Sequence, residues 1–170
     1  MQKRIYAALF VLTLTIAPLS RAQSTGQWVK FSSTAGGFSI LLPAQPKEET
    51  ESKDNFTSHL FTAKTDRAIY IVGYGDYAPS VHLDTEGELA ANRDNSIRGL
   101  KAHLTGSRSI TLAGHPGLEY TAESDQGAFK YRVYLVGNRV YQFAAITPAG
   151  KDDAENVNKF FASFAFNGNR

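Results

Sequence analysis

Residues 129–147 constrain the fold more than any other part of the chain. Two arms rich in aromatic and β-branched side chains, 129–136 and 140–147, flank Gly137-Asn138-Arg139. Alternate residues of a strand face opposite sides, and Gly-Asn lets the chain reverse, so the segment predicts an antiparallel hairpin. Such a hairpin must bury at least one face against something else. The remaining sequence has to supply further strands and a cover.

The same period of two recurs elsewhere. Residues 28–31 read as a short strand, and Phe38, Ile40 and Leu42 alternate until Pro43 stops the next. Segments 56–64 and 68–74 flank Thr65-Asp66-Arg67 as another hairpin. In its second arm Ile69 and Ile71 share one face while Tyr70, Val72 and Tyr74 share the other, which predicts a strand covered on both sides. Leu118, Tyr120 and Ala122 alternate with Glu119, Thr121 and Glu123, a half-exposed strand after a turn at Gly114-His115-Pro116-Gly117. Segment 44–55 is polar, contains Pro46 and reads as loop.

Two segments change period. In 84–104, Leu89, Ile97, Leu100 and Leu104 follow helical spacing, with Asp84 or Thr85 as the cap. Gly87 and Gly99 weaken this helix by about 1 kcal/mol each relative to Ala. Asp152, with Glu155 three residues later, resembles a capping box, and Ala154, Val157, Phe160, Phe161 and Phe164 then form an apolar stripe. Hairpins set apart from two main helices predict an α+β domain. Its helices pack on an antiparallel sheet of about six or seven strands.

The first residues stand apart. Lys3 and Arg4 precede an apolar run of about 14 residues, short of the ~20 a spanning helix needs, and Ser20-Arg21-Ala22 fits a cleavage site. Segment 1–22 is therefore expected to be a signal peptide cut after Ala22, with an uncleaved signal anchor as the alternative. Nothing then remains to form a stable membrane span. No cysteine follows for lipid attachment, and no paired arginine suggests a twin-arginine route. The domain is expected to occupy 23–170, periplasmic or secreted.

Cleavage changes the charge. Losing Lys3, Arg4 and Arg21 takes 18 basic residues to 15, against 16 acidic ones. A near-neutral chain offers no electrostatic case for nucleic acid. The chain has no cysteine, which excludes disulfides, thiolate nucleophiles and Cys-bound metal centres. Stability must come from packing alone, and a domain of this size buries roughly 68–70% of its unfolded surface.

The order of motifs resembles bacterial PsbP-like domains. Residues carrying the resemblance are Trp28 through Gly37-Phe38-Ser39-Ile40 to Pro43, Gly114-His115-Pro116-Gly117-Leu118-Glu119-Tyr120, Arg132 to Tyr141, and Phe160 to Phe164. It spans nearly all of 27–166 and implies an α-β-α sandwich with a central antiparallel sheet. That fold is shared by PsbP of plant photosystem II and a small Ran-binding nuclear import factor. The matching positions are turns and core, so the resemblance implies a fold and transfers no site residue. Known roles of the family are mainly accessory and binding ones.

Chemistry is sparse. His82, Asp84 and Glu86 alternate and form the one candidate metal set, since N and O ligands suit zinc or manganese; solvation and helix capping are the plainer reading. His115 is explained by its place in a Pro-Gly turn, His59 and His103 have no ligand-spaced neighbours, and no H-E-x-x-H, Gly-x-Ser-x-Gly or P-loop appears. Gly73-Tyr74-Gly75 lacks the third glycine of a phosphate cradle. Asn55-Phe56-Thr57 fits a glycosylation pattern that matters only in a eukaryotic secretory route. No motif calls for a cofactor, and no catalytic residue is assigned. Most tyrosines fall in strands and read as core, whereas Tyr77, placed beyond the strand, is the candidate contact residue. The leading expectation is an exported, non-catalytic accessory module that binds an envelope protein or a small ligand. The alternative is a metal- or ligand-dependent envelope enzyme resting on His82 and its neighbouring acids.

Overall fold

The computed structural model describes residues 28–167. The expected signal segment 1–22 and its cut after Ala22 lie outside them. In chain order the strands are β1 (Val29–Ser33), β2 (Phe38–Leu42), β3 (Lys47–Lys53), β4 (Phe56–Lys64) and β5 (Ile69–Tyr77). Then come helix α1 (Thr85–Gly99), β6 (His103–Leu112), β7 (His115–Ser124), β8 (Gly127–Val136) and β9 (Arg139–Pro148). Helix α2 (Ala154–Ala162) and the short β10 (Ala165–Phe166) complete the domain.

The hairpin predicted at 129–147 is β8-β9, paired from Gly127 opposite Pro148 to Val136 opposite Arg139. It sits inside a seven-stranded antiparallel sheet of order β3-β4-β5-β9-β8-β7-β6. A three-stranded sheet, β1-β2-β10, lies apart from it.

Alternation along β5 separates the faces of the large sheet. Tyr70, Val72 and Tyr74 join Phe38, Phe143 and the α2 residues Val157, Phe160 and Phe161 in one core. Ile71 instead packs with Ala144, Ile146 and the α1 residue Ile97. Helix α1 therefore covers one face, while α2 and the small sheet cover the other. No helix among the described residues is long and apolar enough to cross a membrane.

Four local expectations change. Segment 47–53, read as loop, is a full strand paired with β4 along its length. All seven of its side chains are exposed, so it has no apolar period to detect. The first helix stops at Gly99, because Lys101 at φ 51° turns the chain in the left-handed region. Leu104, expected on its apolar stripe, lies on β6 and is 43% exposed. The turn before β7 falls at Ala113 and Gly114, both with positive φ, and His115 already pairs with Leu112. Asp153, not Asp152, takes the N-cap position of α2, and Ala154 faces solvent. Asp152 still accepts the Ala154 N–H at 3.0 Å, while Asp153 turns inward to accept the buried Tyr70 hydroxyl.

Candidate functional site

Helix α1 is attached to the sheet in an uncommon way. Of its buried residues only Leu89 is apolar; the others are Glu88 and Asn92. These two lie four residues apart and so share a face. Tyr77 is not beyond β5 but is its last residue, 7% exposed, and its hydroxyl donates to Glu88 Oε1. Asn92 Nδ2 donates to the same oxygen at 3.1 Å, and Asn92 Oδ1 accepts from Gln142 Nε2 of β9. One turn further on, Ser96 hydrogen-bonds the Tyr120 hydroxyl, whose pKa burial pushes up to about 12. Tyr77 thus pins the helix from below and does not present a surface.

The three metal candidates do not converge. Asp84 Oδ2 accepts the Gly87 N–H at 3.0 Å and caps α1, leaving His82 and Glu86 exposed on either side of it. Among the described residues no three His, Asp or Glu side chains form a group able to hold a metal ion. The link between β5 and α1 is fixed from another direction: Asn138 Nδ2 donates to the carbonyls of Ala78 and Val81.

Where the hydrogen-bonded chain ends at Gln142, a cleft begins. It has a volume of about 60 Å³ and lies between the C-terminal turn of α1 and the sheet. Leu60, Ile71 and Ala144 contribute apolar surface, Leu100 and Gly99 form the helix side, and Tyr131, Ser96 and Gln142 bring polar atoms to its edges.

Two groups of charged side chains tie elements together. Arg139 donates to both carboxylate oxygens of Asp76 at 2.6 and 2.7 Å and to the carbonyls of Ala35 and Gly36, tying the β1-β2 turn to the large sheet. Its guanidinium stacks 4.6 Å over Tyr74, which also stacks on the His59 ring. Glu119 lies between Arg108 and Arg132. Burial raises its pKa, yet the hydrogen bonds from both arginines outweigh that and hold it below the usual carboxylate range.

The chain matches no protein-family profile and no curated protein sequence. Among solved structures, the solution structure of cyanobacterial PsbP (CyanoP) from Synechocystis sp. PCC 6803 superposes with a TM-score of 0.58 at 12% identity. The match covers 88% of this chain and 98% of that one. The fold is PsbP-like. A crystal structure from Bacteroides thetaiotaomicron VPI-5482 aligns at 15% identity and a TM-score of 0.43, over 82% of this chain and 48% of that one.

In this PsbP-like fold the cleft and the hydrogen-bonded chain beside it escaped sequence reading. One signal for them was available: Glu88, Asn92 and Ser96 recur every four residues alongside Leu89 and Leu100, a polar stripe on the face that also carries the leucines. On an amphipathic helix that side should be apolar. A polar stripe there marks either solvent or buried hydrogen bonds, and only Tyr77 and Gln142, distant in sequence, decide which.

Proposed function

We propose that this chain is an exported accessory module of the cell envelope. It binds a protein by taking one aliphatic side chain of its partner into the cleft beneath α1. The cleft's size carries this reading. Its 60 Å³ is well under the about 150 Å³ of an apolar cavity that admits benzene, and ligand pockets span roughly 300–1,000 Å³. A methyl-bearing side chain is the right scale, and a side chain desolvated in a well-packed pocket is the kind of contact that carries binding energy at an interface. Export is supported by the basic, apolar and small-residue order of 1–22. An accessory role agrees with the PsbP-like fold and with ionisable clusters that are engaged in holding elements together.

Position 99 suits the test, because a side chain added at Gly99 meets nothing within 4 Å. A photo-cross-linking residue placed there, in cells that export the protein, is expected to trap one envelope protein. Ala144→Leu, which fills the cleft, should abolish the adduct while thermal melting and the circular dichroism spectrum stay native. An adduct that survives Ala144→Leu, or trapping of lipid or metabolite in place of protein, overturns the reading.

A further inference from the structure

The two edges of the large sheet are built differently. At one end, β3 carries Lys47, Glu48, Glu49, Glu51 and Lys53 in seven residues, with Lys47 and Glu49 paired at 2.8 Å. Charges of this density keep other strands from pairing with an exposed edge. At the other end, β6 is ten residues long, has Arg108 as its sole Lys, Arg, Asp or Glu, and contains no proline. Its outer edge has no strand partner among the described residues. A register shift between Leu104 and Gly106 bends the strand near its start, and from Gly106 to Leu112 the pairing with β7 is regular. The open, regular stretch is therefore 106–112.

The side chains along that stretch state what would fit. Arg108, Ile110 and Leu112 share the face toward α2, where Ile110 and Leu112 pack against the main core. The Arg108 side chain is 66% exposed and shares the single Glu119 carboxylate with Arg132. Lys130 stands one pair further along the same face of β8, opposite Thr121. Glu119 thus hydrogen-bonds two arginines at once, and Lys130 adds to the positive field around it. The nearest other acid on β7, Glu123, pairs with His103 on the far side of the shift. Among the described residues the stretch presents an edge with no strand partner, an apolar end and an exposed Arg108 that shares its one carboxylate with Arg132.

We propose that the 106–112 edge of β6 is a docking strand for an extended segment of a partner protein, one that sets a carboxylate against Arg108 and apolar side chains against Ile110 and Leu112. Main-chain hydrogen bonds would give affinity and the alternate side chains specificity, as in strand-addition recognition. The surface is separate from the cleft, which takes no residue from β6. Failure of one proposal leaves the other standing.

The test uses the isotope-labelled protein as exported and a short synthetic peptide of alternating threonine and valine with one central glutamate. Amide exchange and chemical shifts are followed by NMR. Binding is expected to protect alternate amides within 106–112 and to weaken several-fold when salt rises from about 50 mM to about 300 mM. Replacing the peptide's glutamate by glutamine, or Arg108→Gln in the protein, should each lower affinity about tenfold. N-methylating alternate peptide amides should abolish it, and that control leaves the protein untouched. Undiminished binding of the N-methylated peptide would mean charge attraction without strand pairing and overturns the proposal. So does the absence of any protection at millimolar peptide. Protection of 106–112 that grows with protein concentration alone would assign the edge to a second copy of the chain and overturn it equally.

Discussion

The Tyr77 hydroxyl donates to the Glu88 carboxylate, joining the last residue of β5 to the first turn of α1 inside the protein. Glu88 is 5% exposed, and its described partners are Tyr77 and Asn92, neither of them a cation. A buried carboxylate held this way depends strongly on each donor. Tyr77→Phe is expected to cost about 1–3 kcal/mol by leaving that oxygen short of a partner. Combining it with Glu88→Gln should cost less than the two single changes added together, with a coupling of roughly 0.5–3 kcal/mol. Urea midpoints of the four proteins measure it; strict additivity would mean that the pair does not act as a unit.

Helix α2 is attached by the opposite means. Phe160 is fully buried against Tyr70, Phe143 and Phe161. Phe160→Ala should cost about 3–5 kcal/mol, a large share of a domain's usual 5–15 kcal/mol. An unchanged denaturant midpoint would refute this packing.

Acid should act through Glu119. Its pKa lies below the usual 4.5 in the folded protein because Arg132 and Arg108 hydrogen-bond the ionised form. A depressed pKa means that the unfolded chain takes up protons first as pH falls. The stabilisation is therefore complete above about pH 4.5 and disappears as pH drops through the folded value. Glu119→Gln should lose about 1.5–3 kcal/mol at neutral pH and show a flatter melting temperature between about pH 5 and 3. Parallel pH profiles for the two proteins would rule the mechanism out.

Alkali should act through the buried tyrosines Tyr70, Tyr120 and Tyr131, all of whose pKa values burial raises, and Tyr120 serves as the example. Burial pushes its pKa from 10 up to about 12, against a smaller opposing effect of the Ser96 hydrogen bond. The folded state favours the protonated phenol, so stability is full below about pH 10 and falls as pH rises toward about 12. A displacement of that size corresponds to on the order of 2–3 kcal/mol. Ultraviolet titration should show late phenolate formation coincident with loss of structure, and Tyr120→Phe should soften the alkaline transition.

How much the sequence disclosed follows from which side chains met water. The β8-β9 hairpin and the α2 stripe were legible because Val133, Phe143, Phe160 and Phe161 advertise burial at the right period. Strand β3 was not, since its side chains all face solvent and only its backbone is paired. Leu104 misled for the converse reason, an apolar residue left exposed on an edge strand. Tyr77 misled because the acid that draws it inward is eleven positions away, on another element. Asp84 could be read as a cap because that role is local.

The two helices are expected to respond differently to heat. The apolar packing under α2 strengthens or holds steady as temperature rises through the ambient range, because its driving force is entropic there. The hydrogen bonds from Tyr77 and Gln142 that help hold α1, beside the packing of Leu89 and Ile97, gain nothing from that effect. Helix α1 is thus expected to open before the sheet and α2, which amide exchange at rising temperature would show. It forms the roof of the cleft, so the cleft should lose its shape at a lower temperature than the one that melts the fold.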